Sequence, residues 1–415
     1  MHDTTAGPAR LLLLPTEVRD VVSFRASFAT APDLGEADDL VQSLVANLLD
    51  KGTRQRDRFE IAEALEGRGA QLSFYSDGLR MGVSGRALRD DLPQVIALLA
   101  EQLREPAFDE AEVQKATVRA VAGIRRSRES TGAQAGGALA RRLYGPAHPN
   151  YVLDPNDELA RLEAVDVETI RAYHEAHVGS DGLLFAIVGD VDAEATTAAV
   201  TDALGDWVPH GLAPTFEPAP TSTEPGRQLV EMADRRNLDV RIGHAIGLRR
   251  GDDDFLATYA GVFALGGNFS GRLMQTVRDE QGLTYGIGAD LGSPSVDYDG
   301  HVRVRVALSQ ENLERGIEAT LAEVRSFVEE GVSEEMLAQT QTTLAGRHVV
   351  GLATTGGVAA RLLVNAQRGF PVDYLDRYPG LIRDLTTEEV TAAIRRYLRP
   401  DDVHITLAGT PADPT

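Results

Sequence analysis

The 415-residue chain contains no cysteine, one tryptophan and only two lysines, Lys51 and Lys115. The absence of cysteine excludes disulfides and thiolate metal sites but leaves the compartment open. No segment approaches the length of a transmembrane span. The apolar run nearest the start, residues 11–14, is four leucines closed by Pro15, with Arg10 as its only nearby positive charge. It is too short for a signal-peptide core and reads as a first strand, so the expected location is the cytoplasm. Positive charge is scarce as well: the formal net charge is −22. That argues against nucleic acid and anionic membranes as partners, because both need a basic face. Two readings of the acidity stand side by side. One is the coding bias of a GC-rich or salt-adapted host, and the other is attraction of basic peptides into an acidic cavity. No Ser/His/Asp spacing is recognisable, and Gly266-Gly267 lacks the third glycine and the lysine of a phosphate loop.

What the chain does have is a duplication. AVDVETIRAYHEAHVGSDGLLFAIVGDVDA, from Ala164, parallels DLTTEEVTAAIRRYLRPDDVHITLAGTPAD, from Asp384, with Val165 matching Leu385 and Gly189 matching Gly409 at an offset of 220. Near the same offset, the alternating segment 24–28 parallels 244–248, each reading as a half-buried strand. The helical pattern Leu92, Ile96, Ala100, Leu103 parallels Leu313, Ile317, Leu321, Val324. Hairpin-like pairs at 71–76 and 82–85 interrupt long amphipathic helices. Thr386 and Glu389 have the spacing of a helix-capping box. Residues 131–137 parallel 354–361 and read as a helix–helix joint rather than a flexible substrate loop. The expected fold is α+β: two homologous α/β-sandwich-like domains, helices packed on one mainly antiparallel sheet, forming a clamshell half. The expected boundaries are 1–208 and 229–415, joined by a proline-rich linker at 209–228.

The stretch 266–285, GGNFSGRLMQTVRDEQGLTY, is the most specific in the chain. Arg278 and Tyr285 lie seven residues apart, with Gly282 between them to let the loop bend back. A guanidinium and a phenol brought together can grip a peptide carbonyl or the oxyanion that forms on it. The alternatives are a surface ion pair of Arg278 with Asp279 or Glu280, and a packed Tyr285 with its hydroxyl satisfied. Arg272, at the start of the same helix, reads as structural.

This run closely resembles the C-terminal-domain signature of the pitrilysin/insulinase peptidases, inverzincins that include the mitochondrial processing peptidase. The resemblance covers essentially the whole chain and implies that Arg278 and Tyr285 bind substrate near the scissile bond. In that family an HxxEH helix in the first domain holds zinc, and a later glutamate completes the site. Counting back from Lys51-Gly52-Thr53 and the helix beginning at Glu60, the motif positions here are Ser43-Leu44-Val45-Ala46-Asn47. Neither histidine is present and the base is alanine. No carboxylate lies at 120–124, where the last ligand belongs. Serine and asparagine are poor zinc ligands, and alanine cannot activate water. The expectation is a chain with no cofactor of its own: a non-catalytic subunit that gives Arg278 and Tyr285 to a composite site. Its partner would be a catalytic zinc-peptidase subunit of similar size, which holds the zinc, and its substrates short or unfolded peptides, leader peptides among them. Two other readings remain: an inert scaffold that kept the fold, and an enzyme with its own site near His174 and His177. Those two histidines, at i and i+3, could bind metal or could be a solvated helix end that complements the helix dipole.

Overall fold

The computed structural model describes residues 1–31, 39–212, 216, 219 and 224–410. The first half of the chain runs β1 (His2–Ala6), β2 (Ala9–Pro15), β3 (Val21–Ala29), α1 (Asp39–Leu48), α2 (Arg58–Glu66), β4 (Gln71–Ser76), β5 (Arg80–Leu88), α3 (Leu92–Arg104), α4 (Glu110–Arg128), α5 (Thr131–Leu143), α6 (Pro155–Glu163), α7 (Val167–His177), β6 (Leu184–Gly189) and α8 (Ala193–Leu204). The second half runs β7 (Arg227–Glu231), β8 (Asn237–Ala245), α9 (Phe255–Gly266), β9 (Ile287–Gly292), β10 (His301–Ser309), α10 (Leu313–Glu330), α11 (Glu334–Gly351), α12 (Thr355–Gln367), α13 (Tyr374–Arg383), α14 (Thr387–Tyr397) and β11 (His404–Gly409). The fold is α+β, as the sequence indicates.

The chain forms two compact units. One comprises Met1–Ile124, Asn156–Thr215 and Val349–Leu375; the other comprises Arg125–Pro155, Phe216–His348 and Asp376–Thr415. The units therefore do not follow boundaries at 1–208 and 229–415: α5 goes with the second and α12 with the first. Nine of the twenty residues of the expected proline-rich linker (213–215, 217, 218 and 220–223, with Pro214, Pro218 and Pro220) lie outside the described residues.

In the first unit six strands order β1-β2-β6-β3-β5-β4, antiparallel except for the β2/β6 pair. Alternation along β3 divides its two faces. Phe24 packs near Phe185 and Phe28 sets its ring edge-on to Trp207, at 5.2 Å between centroids. On the other face, Ser23 and Ser27 meet α12 through hydrogen bonds with Thr355 and Gln367, each 2.8 Å. The helix buries Ala359, Leu362 and Leu363 against Leu12, Ala186 and Val188. Burial of the two leucines contributes about 4 kcal/mol. The leucine run at 11–14 is thus the second strand rather than the first, with β1 folded against it.

In the second unit five strands order β7-β11-β8-β10-β9, and only β7/β11 is parallel. One face supports α9, α10 and α14 through a core that includes Val240, Ile242, Val304, Phe263, Ile317, Phe327 and Ile394. The other carries α5, where Thr406 donates to the Ala135 carbonyl at 2.7 Å. The repeat is real but drifts. α7 and α14, and β6 and β11, keep the offset of 220. Strand register pairs Phe24 with Ile187 and Val240 with Leu407, so β3 matches β8 at an offset of 216. Residues 244–248 are therefore not the counterpart of 24–28: the strand ends at Ala245, four residues earlier in register. The segments 131–137 and 354–361 are not joints but the first turns of α5 and α12, capped by Ser130 and Thr354. Both repeats close on a glycine with positive φ, +137° at Gly189 and +150° at Gly409, where a side chain is strained.

Candidate functional site

In the first unit, Ser43, Ala46 and Asn47 project from one stretch of α1 into a cavity of about 570 Å³. Ala120 and Ile124 of α4, the two ends of the stretch where the last ligand belongs, line the same cavity, so the positions that correspond to metal handling converge in space although they are far apart in sequence. None can do the job. The Asn47 amide donates to the Ser43 carbonyl one turn back, at 2.8 Å. A single carboxylate from the helices, Glu158 of α6, reaches the cavity with Asp50, Lys51 and Arg119. Burial, and then Asp39, push the Glu158 carboxyl above its ordinary value. A zinc ion needs three or four nitrogen, sulfur or carboxylate ligands at about 2 Å. No group of three or more His, Cys, Asp or Glu side chains suited to a metal exists among the described residues. The cavity does not fit zinc.

His174 and His177 do not form a site either. His174 is hydrogen-bonded to the Leu103 carbonyl at 2.8 Å, and its ring meets Phe108 edge-on. Burial pulls its pKa down. His177 lies against Tyr173 on its own helix, 4.6 Å between centroids.

Arg278 and Tyr285 lie in the second unit. Residues Met274–Glu280 form a π-helical turn, a geometry that costs hydrogen-bond quality and recurs at functional positions. Gly282, at φ +64°, reverses the chain just after it. Arg278 Nε donates to the Tyr285 carbonyl at 3.1 Å, and Nη1 donates to Asp279 at 2.9 Å. The guanidinium thus pins the main chain of Tyr285, not its phenol, and the surface pair with Asp279 is present as well. Tyr285 itself is 97% exposed. Burying nothing, the ring has no packing reason to stand there. Arg272 instead joins Glu323, Glu330 and Ser326, bracing the start of the turn.

Sequence reading missed a second cavity of about 480 Å³ that opens at Gly286, next to Tyr285. Asp239 and Arg241 of β8, Arg305 of β10, Arg347 of α11 and the 82%-exposed Phe269 line it. These residues span more than a hundred positions, and only strand register brings them together.

The class is thus a duplicated α+β chain with the helix frame of an inverted zinc motif and none of its metal-handling side chains. Residues 41–135 match the insulinase (peptidase family M16) model, and residues 164–344 match the peptidase M16 inactive domain model. The chain belongs to the M16 family, and its second half matches that family's inactive-domain model. It is 26% identical over 410 residues to an uncharacterized zinc protease of Streptomyces coelicolor, covering 94% of this chain and 88% of that one. It is 20% identical to a non-peptidase homolog of Helicobacter pylori, covering 87% and 82%. Among solved structures, the peptidase M16 inactive domain from Pseudomonas fluorescens superposes with a TM-score of 0.86 at 23% identity, over 99% of this chain and 98% of that one. A protease from Helicobacter pylori gives 0.85 at 12% identity, over 98% and 99%. At these identities the structural likeness speaks for the fold alone.

Proposed function

We propose that this chain is the non-catalytic, substrate-binding subunit of a heterodimeric zinc metallopeptidase that cleaves short or unfolded peptides, leader peptides among them. Its partner, a chain of similar size in the cytoplasm, carries HxxEH and the zinc. The observation that carries this reading is the retention of a fully exposed Tyr285, its main chain held by Arg278, on a chain whose metal cavity has lost every ligand. An exposed aromatic that packs on nothing, beside a guanidinium, suits recognition of a peptide rather than stability. Edge strand β4 adds support. Its Ser73 and Phe74 line the vacated cavity, and its free edge offers main-chain groups to which an extended peptide can add as a strand.

The test is to purify the tagged chain from its native cells and assay it with and without bound proteins. Recovery of a similar-sized HxxEH chain, peptide cleavage only in the complex, and loss of cleavage in Arg278→Ala support the reading. A large assembly without peptidase activity would move the function to an inert scaffold.

A further inference from the structure

The outer face of the second unit's sheet carries more positive charge than it can pair. Arg241 on β8 and Arg305 on β10 are direct cross-strand partners, a like-charge juxtaposition that destabilises a sheet. Arg303 lies two residues along β10 on the same face. Two carboxylates serve them. Asp239 holds Arg241 at 3.0 Å, while Asp290 is shared between Arg303 at 2.7 Å and Arg305 at 3.2 Å. Arg347 lies over the Phe263 ring at 4.9 Å and has no carboxylate partner among the described residues. In a chain of net charge −22, three guanidinium groups, Arg241, Arg305 and Arg347, thus line one cavity with a single carboxylate, Asp239, while Arg303 and Asp290 pair beside it. Burial, with Arg303 and Arg305 nearby, pulls the Arg241 guanidinium below its ordinary value despite Asp239, so a further anion there would be stabilising. Gly286, exposed and with open space where a Cβ would stand, lines the cavity on the main chain that leads into edge strand β9. Exposed Phe269 forms an apolar wall.

We propose that Arg305 and Arg347, backed by Arg241, form a subsite for a peptide carboxylate, an Asp or Glu side chain or a free C terminus, on the segment of substrate that reaches β9. This rests on the peptide-binding reading above and adds to it a preference for acidic peptides. It assigns the local charge the opposite sense from an acidic cavity drawing in basic ones. A carboxylate can accept paired hydrogen bonds from each guanidinium, which makes the recognition geometric as well as electrostatic.

The experiment is fluorescence anisotropy on the full chain with a short labelled Ala/Val/Ser peptide that carries one central Glu. Its Gln counterpart is measured beside it, and each is made with a free and with an amidated C terminus. The expected result is about tenfold tighter binding of the carboxylate-bearing peptide. That preference should disappear in the double variant Arg305→Gln, Arg347→Gln and weaken with added salt. The arm that shows the preference, side chain or C terminus, identifies the carboxylate's source. Both arginines are exposed, and Arg305→Gln relieves the repulsion with Arg241, so the unfolding midpoint should hold or rise. Equal binding of neutral and acidic peptides, or a preference that survives the double variant, overturns the subsite and leaves the peptide-binding reading in place. Failure of every peptide to bind the chain overturns the subsite, and cleavage by the complex with the HxxEH chain decides the peptide-binding reading separately.

Discussion

Tyr285 and Arg278 separate stability from function within a single loop. Because Tyr285 buries almost nothing, Tyr285→Ala should change unfolding free energy by less than about 0.5 kcal/mol, read by urea titration. Arg278→Ala removes the bond to the Tyr285 carbonyl and should cost about 1 kcal/mol. In a complex with the HxxEH chain, either change should lower peptide cleavage about a hundredfold if the pair stabilises the oxyanion. A normal rate in both variants would assign the loop a purely structural role. The opposite logic holds at Ser43, Ala46 and Asn47. The purified chain should take up no stoichiometric zinc at about micromolar free metal, measured by elemental analysis after dialysis, since two neutral polar groups and a methyl cannot replace histidines and a carboxylate. These positions were legible in the sequence because neighbouring residues fix their register: Lys51-Gly52-Thr53 for α1, and Gly282 for the loop. The arginine cavity was not, because Arg241, Arg305 and Arg347 come from β8, β10 and α11 and share no local pattern.

Among elements, the closing strand of each repeat tests how backbone geometry constrains sequence. A Cβ at Gly189 would stand 2.1 Å from the Val21 carbonyl oxygen, at φ +137°, where β3 and β6 pair. Gly189→Ala must therefore push β3 away from β6 in the middle of the sheet, and should cost about 3 kcal/mol or more. By contrast, Thr386→Ala removes one cap. Thr386 accepts from the Glu389 N–H at 3.2 Å, and Glu389 accepts from the Thr386 N–H at 2.8 Å. That loss should cost about 1 kcal/mol. Denaturant midpoints for both variants decide the ranking, and a larger effect at Thr386 would contradict the packing at β6. Such local signals made the capping box, the hairpin β4/β5 and the paired helices α3 and α10 readable in advance. The four-residue slip at β8 was not readable, because both His244 and Val240 begin apolar alternations. Only the hydrogen-bonded register with β11 chooses between them.

At the scale of the molecule, periodicity says that α5 and α12 are amphipathic but not which sheet each covers. That choice belongs to complementary surfaces: Ala359, Leu362 and Leu363 on the first unit's sheet, and Leu139, Ala140 and Leu143 with Ala245 in the second. Of the histidines that the second unit buries, His244 and His301 bear most strongly on its response to pH. His244 accepts the Arg399 N–H at Nε2, 3.0 Å, while Nδ1 faces the Ala245 carbonyl at 3.0 Å, an arrangement that fits only the neutral ring. His301 Nδ1 lies 2.8 Å from the Tyr144 hydroxyl. Burial raises the pKa of that hydroxyl, so it stays a neutral phenol beside the imidazole. Burial, followed for His301 by Arg303, lowers both histidine pKa values from 6.5 to about 4. Between those values the unfolded chain binds protons that the folded chain refuses, so stability rises with pH across that window. It is complete above about pH 6.5, declines as pH falls toward about 4, and loses nothing further from these groups below that. Each histidine contributes about 3 kcal/mol at most, enough together to unfold a marginal domain in mild acid. Urea midpoints between pH 7 and pH 4.5 should fall steadily, and His301→Phe should flatten the slope even if it lowers the midpoint at pH 7. A flat profile, or a slope untouched by that substitution, would show that the acid response comes from other groups.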